Sequence, residues 1–175
     1  MNKIIFITGM AGAGKSSVGR MLARRFPKCL FIQVDELREK MVTGYARPQD
    51  GVFTEEVMLQ FQMARTAAIQ MARLYASNGV DVVIDDVCAP PNFVEQYAAL
   101  FELPEVHRVL LYPKESVVIE RIRKRGGPLE HIPYVPVIYK FLDSMPKDGW
   151  IVLDSSEWTV EQTVNEILSN TGMDR

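Results

Sequence analysis

A chain of 175 residues, 47% hydrophobic and 24% charged, is long enough to build its own core. A domain of this size buries roughly 70% of its unfolded surface, so it requires neither a disulfide framework nor a structural metal. Its net charge of −2, with the basic residues scattered apart from one cluster near Arg121, argues against a broad nucleic-acid footprint.

No apolar run is long enough to span a bilayer. The start, Met1 to Ile7, resembles a signal peptide only superficially, because its apolar run ends at Ile7. Cys29 and Cys88 lie far apart and in no C-x-x-C pattern, so they read as buried, reduced thiols in a cytoplasmic setting.

In chain order, Lys3 to Thr8 is a β-branched and aromatic run that predicts a central parallel strand. A helix follows over Ser16 to Phe26 and ends at Pro27. Cys29 to Val34 is the second strand, and Asp35 opens the next helix as its N-cap. Thr43 to Gly51 is a loop. Thr54-Glu55-Glu56 starts a long helix to Ser77, stopped by Asn78-Gly79. Its buried stripe reads as Val57, Phe61, Ala64, Ala68, Met71 and Leu74-Tyr75, with Glu55, Gln62, Arg65 and Arg73 on other faces.

Val80 to Asp86 is the third strand, and Pro90-Pro91 opens a helix through Phe101. Val106 to Tyr112 is the fourth strand and Glu115 to Lys124 a helix ending at Gly126-Gly127-Pro128. Val135 to Met145 is helical, Trp150 to Leu153 is a fifth strand, and Thr159 to Ser169 closes as a helix. Strands alternating with helices predict a parallel sheet with helices on both faces, and no linker or repeat divides residues 1–175.

Between the first strand and its helix lies Gly9-Met10-Ala11-Gly12-Ala13-Gly14-Lys15-Ser16-Ser17, which reads G-x-x-x-x-G-K-S, the P-loop pattern. Glycines let the backbone turn its N–H groups on anionic oxygens, and the helix start adds its positive dipole end. Lys15 would reach the β- and γ-phosphates of a nucleoside triphosphate, and the Ser16 hydroxyl would join a Mg²⁺ shell.

In such a sheet ligands sit beyond the carboxyl ends of the strands, where Asp35, Asp85 and Asp86 should converge with Lys15. Val82-Val83-Ile84-Asp85 has the Walker B form. Asp85 is favoured as the metal carboxylate and Asp86 for substrate or a metal-bound water, although neighbours on a strand face opposite sides and the assignment stays open. Asp35 is the candidate base for an acceptor hydroxyl, and Arg38 would fix an acidic group of the substrate or keep Asp35 ionised.

Arg121 and Arg125, four apart on one helix face, belong to a lid at about residues 121–134 hinged at its glycines. Arg125 would stabilise the transferring γ-phosphoryl group and Arg121 would stack near the base. His107 and His131 lack metal-ligand spacing. Tyr45, Phe53 and Tyr134 are loop-borne, with Tyr45 and Phe53 candidates for an acceptor pocket.

With these residues assembled, the chain resembles the small P-loop kinases of the nucleoside- and shikimate-kinase type, and among them chloramphenicol phosphotransferase-like kinases. The likeness rests on Gly9 to Ser16, Val34-Asp35-Glu36-Leu37, Val83-Ile84-Asp85-Asp86-Val87 and Leu153-Asp154-Ser155-Ser156. The resemblance implies a three-layer P-loop NTPase fold with strand order 2-3-1-4-5, ATP with Mg²⁺, and Asp35 as general base. It also implies that the segment after the fifth strand approaches the adenine.

The chain departs from the Asp-Gly-x-Pro-Arg of monophosphate kinases, carrying Asp85-Asp86-Val87-Cys88-Ala89-Pro90 instead. The expectation is a kinase that transfers the γ-phosphate of ATP to a hydroxyl of a small molecule, with no nucleic-acid or membrane partner. A nucleoside or nucleotide kinase is the alternative within enzymes. A nucleotide-gated switch is the alternative outside them, weakened because no N/T-K-x-D guanine-reading element is present.

Overall fold

Strand β1 (Ile4–Gly9) is buried along its whole length and alternates its side chains between two cores. In the computed structural model, which describes residues 2–49, 52–89, 92–126 and 129–173 (the Glu130 side chain excepted), β1 sits at the centre of a five-stranded sheet. The other strands are β2 (Cys29–Gln33), β3 (Asp81–Asp85), β4 (Val106–Leu111) and β5 (Trp150–Leu153). All pair in parallel, in the order β2-β3-β1-β4-β5 that the resemblance implied.

Ile4 and Phe6 point into the core that receives α3 (Glu55–Ser77), α4 (Phe93–Gln96), α5 (Ala98–Phe101) and α7 (Val135–Ser144). Ile5 and Ile7 point the other way, against α1 (Lys15–Ala23) and α8 (Val160–Thr171). Two apolar faces explain why these strands read as continuous hydrophobic runs rather than as alternating ones. A third, smaller cluster joins Met10 of the glycine-rich loop to Val118 and Ile122 of α6 (Glu115–Lys124) and to Val135 and Tyr139 of α7.

Several local expectations change. Helix α1 begins at Lys15 and ends at Ala23, before Pro27 can act, with Arg25 N–H donating to Leu22 O. Asp35 is not an N-cap: α2 (Val34–Glu39) starts one residue earlier and Gln33 takes that place. The helix expected through Phe101 is two four-residue pieces, and Pro90 and Pro91 lie outside the described residues. A 3₁₀-helix, η1 (Leu129–Tyr134), was not anticipated, and it carries Tyr134 out of the loop class.

Along α3 the buried stripe is Val57, Phe61, Ala64, Arg65, Ala68, Ala72 and Ala76, while Leu74 and Tyr75 are exposed. Arg65, expected on an outer face, is fully buried. Thr54 caps α3 by accepting from Val57 N–H, and Asn78 and Gly79 end it, Gly79 in the left-handed region. Both cysteines are free thiols; Cys88 is buried and Cys29 half-buried, and burial pushes each thiol up to about 12. Among the described residues no helix is long and apolar enough to cross a membrane.

Candidate active site

The loop after β1 has a shape that only glycine permits at two points. Gly9 has φ +148°, and a Cβ there would stand 2.5 Å from the Leu111 carbonyl of neighbouring β4. Gly12 has φ +88° and packs against α6, where a Cβ would meet Ile122 at 3.0 Å and the Val118 carbonyl at 3.2 Å. Ala13 N–H donates to Met10 O at 3.0 Å and closes the turn. Gly14 then opens α1 with no side-chain cap, leaving the first-turn N–H groups for an anion. Gly12, Gly14, Lys15 and Ser16 line a cavity of about 240 Å³ together with Ala11, Ile122, Arg125 and His131. The Lys15 ammonium hangs over this loop, 3.4 Å from Met10 O.

Asp85 ends β3 in register with Ile7 of β1 and Gln33 of β2, at the carboxyl edge of the sheet. Burial raises its carboxyl above the usual range; the Lys15 charge and the Ser16 hydroxyl pull it back down, and Asp35 and Glu36 push it up. These influences place Lys15, Ser16, Asp85, Asp35 and Glu36 in one electrostatic neighbourhood; the strand-end expectation was Asp35, Asp85 and Asp86 with Lys15. A hydroxyl and a carboxylate are hard oxygen donors that suit Mg²⁺, which takes few protein ligands and shares substrate phosphates. Among the described residues no group of three His, Cys, Asp or Glu could hold a metal by itself.

Asp86 stands apart from this set. Its carboxylate is completely buried and accepts from Arg65 Nε at 2.7 Å, Tyr97 OH at 3.0 Å and Val87 N–H at 2.8 Å. Arg65 uses its remaining donors on Gln96 Oε1 and on the Val87 and Ala89 carbonyls. The role in binding substrate or a metal-bound water expected of Asp86 therefore meets a group already enclosed by protein partners. Asp86 and Arg65 hold the segment after β3 instead.

At the start of α2, Asp35 has 58% of its side chain exposed. Arg38 is the reverse: 4% exposed, its guanidinium lies 3.6 Å over the Phe61 ring and donates to Ala46 O at 3.0 Å. It approaches Asp35 at 3.5 Å, and its enclosure leaves it poorly placed to seize an acidic substrate. Gln60 of α3 donates to Gly44 O and accepts from Ala46 N–H, clamping the loop that carries Tyr45. Tyr45 stacks under Arg47 and beside Arg38, and Phe53 lies 6.0 Å from Phe61; both are half-buried.

The two lid arginines separate. Arg121 donates to Ala13 O of the P-loop at 3.3 Å and to Ser155 O, after β5, at 2.9 Å. It ties the loop to the segment the resemblance assigned to the adenine. Arg125 is exposed and lines the phosphate cavity. A larger hollow of about 490 Å³, lined by Trp158 and residues of α8, contains none of these groups and is set aside on chemical grounds.

Sequence reasoning gave no site role to Arg65, Gln60, Phe61 or His131, although it placed Phe61 on the buried stripe of α3. Arg65 was legible in principle, because it lies four residues after Phe61 and three before Ala68, on the apolar stripe. His131 had no such signal, since it follows a break in the helical pattern.

Comparison with known proteins agrees with this geometry. A family model described as an AAA domain matches residues 5–135. No curated protein sequence matches at significance. Among solved structures, the chain is similar to a tunicamycin resistance protein of Deinococcus radiodurans (18% identity, 99% of this chain and 98% of that one, TM-score 0.72). It is also similar to a sugar kinase from a Janibacter species (19%, 97% and 94%, TM-score 0.69) and to shikimate kinase from Bacteroides thetaiotaomicron (19%, 97% and 98%, TM-score 0.68). At these identities the likeness establishes a shared fold, that of small P-loop kinases.

Proposed function

The chain belongs to the AAA domain family, and on that footing we propose that it is an ATP-dependent kinase acting on a hydroxyl of a small molecule, in the manner of chloramphenicol phosphotransferase-like enzymes. The observation that carries the reading is the meeting of Lys15, Ser16 and Arg125 in one cavity under a glycine loop, beside the strand-end carboxylate Asp85. The resemblance of the whole chain to kinases of sugars and shikimate supports the same class of acceptor.

In this reading, backbone N–H groups from Gly12 to Ser16 hold the phosphates and Lys15 neutralises the β- and γ-oxygens. Ser16 and Asp85 would hold Mg²⁺, whose positive charge would help to neutralise the phosphates. Asp35 accepts the proton of the acceptor hydroxyl as its oxygen bonds to the γ-phosphorus. The bond from that phosphorus to the β,γ-bridging oxygen breaks, and its electron pair leaves with ADP. Arg38, 3.5 Å from Asp35, helps to orient its carboxylate for this task. Arg125 covers the transferring group from the far wall.

The test is ADP release in a panel of hydroxylated metabolites, nucleosides and antibiotics including chloramphenicol. Acceptor-dependent release that is abolished in Asp35→Asn, with ATP affinity intact, supports the reading. Release that no acceptor stimulates overturns it in favour of a hydrolase or a switch. Unchanged transfer in Asp35→Asn removes that residue from the chemistry.

A further inference from the structure

The phosphate cavity has a wall from which the proposed mechanism uses only Arg125. Its floor is the glycine loop and the start of α1; its opposite side comes from the end of α6, which brings Arg125, and from η1, which brings His131. The position of His131 is set by packing rather than left to a loop tip. Ile132, the next residue, packs against the cluster of Met10, Val118, Ile122, Val135 and Tyr139, so η1 and the P-loop share one packed unit. A 3₁₀-helix has three residues per turn, so consecutive side chains point about 120° apart. With Ile132 directed inward, His131 is exposed and turned to the cavity.

Resting on the reading of this cavity as a nucleotide site, we infer that His131 is a binding residue for the terminal phosphate of a nucleoside triphosphate, donating an imidazole N–H to a γ-phosphate oxygen. Three features support this assignment. A neutral imidazole always carries one N–H, so the donor exists without a change of charge. Lys15 and the loop amides approach the phosphates from the strand edge, whereas Arg125 and His131 approach from later elements across the cavity. That side is reached by the last phosphate of the chain, whose predecessors occupy the loop and the helix start. His131 thereby distinguishes a triphosphate from a diphosphate, and release of ADP after transfer is eased because this contact goes with the transferred group.

The experiment is equilibrium binding of ADP and of the non-hydrolysable imido analogue of ATP to the full chain, for wild type, His131→Ala and His131→Gln. Loss of one hydrogen bond to a charged oxygen predicts about tenfold weaker binding of the analogue by His131→Ala, with ADP within about twofold of wild type. His131→Gln restores an N–H donor of similar reach and should recover most of the loss. Wild-type affinity for the analogue in His131→Ala, or an equal loss for both nucleotides, overturns the inference. Because the side chain is exposed, its truncation leaves the core intact, and thermal melts of both variants check this. If wild type binds neither nucleotide, the kinase reading fails as well; if it binds both and only the histidine variant is silent, the inference alone fails.

Discussion

Arg65→Met removes the cation of the most enclosed ion pair in the molecule, with 1% and 0% of the two side chains exposed. Asp86 then keeps only Tyr97 OH and Val87 N–H as donors, while Gln96 Oε1 and the Val87 and Ala89 carbonyls lose theirs. Removing one partner of a buried pair costs about 3–5 kcal/mol, a large share of the roughly 5–15 kcal/mol that holds a domain together. Asp86→Asn leaves the guanidinium uncompensated and should cost a similar amount. The double variant holds no buried charge, so its loss should fall well short of the sum of about 6–10 kcal/mol that independent sites would show.

Denaturant unfolding of all four proteins measures the coupling, with unchanged slopes as the control on two-state behaviour. Single variants within about 1 kcal/mol of wild type, or a double variant equal to the sum, would refute an account in which this pair fixes the segment beyond Asp85.

Three other outcomes follow from local geometry. Lys15→Ala should lower turnover by about 3 kcal/mol of transition-state stabilisation, read as kcat/KM for ATP; near-wild-type turnover removes the P-loop from the chemistry. Gly19→Ala places a methyl group 2.6 Å from a Phe31 ring carbon at the α1–sheet contact, and the overpacking should cost about 1–3 kcal/mol in denaturant unfolding. Thr159 accepts from Gln162 N–H and Gln162 Oε1 accepts from Thr159 N–H in a capping box, so Thr159→Ala should lose about 1 kcal/mol and lower the Tm with nucleotide affinity unaffected.

Sequence by itself determined the strand–helix alternation, the parallel sheet and the phosphate loop, because each depends on short-range patterns. Continuous apolar runs mark strands buried on both faces, and Gly9 to Ser16 is a local device whose backbone shape is written in its glycines. The same is true of the carboxylates: Asp35 and Asp85 lie just beyond β-strand hydrophobic runs, and parallel pairing alone brings strand ends to one edge.

Tertiary structure alone decided which of the polar residues are open to a ligand. Asp85 and Asp86 are adjacent in sequence, yet one belongs to the neighbourhood of Lys15 and Ser16 and the other is enclosed by Arg65 and Tyr97 from α3 and the segment after α4. Arg38 and Arg125 are both basic residues near helix ends. Phe61 of α3 and the Ala46 carbonyl enclose the first, and the second is exposed. His131 lines the cavity beside the glycine loop because Ile132 packs against a cluster that includes Met10, more than a hundred residues earlier. A charge is expensive to bury without partners, so its fate depends on what the fold brings to it, and those partners come from elements whose spacing in the chain carries no record of their meeting.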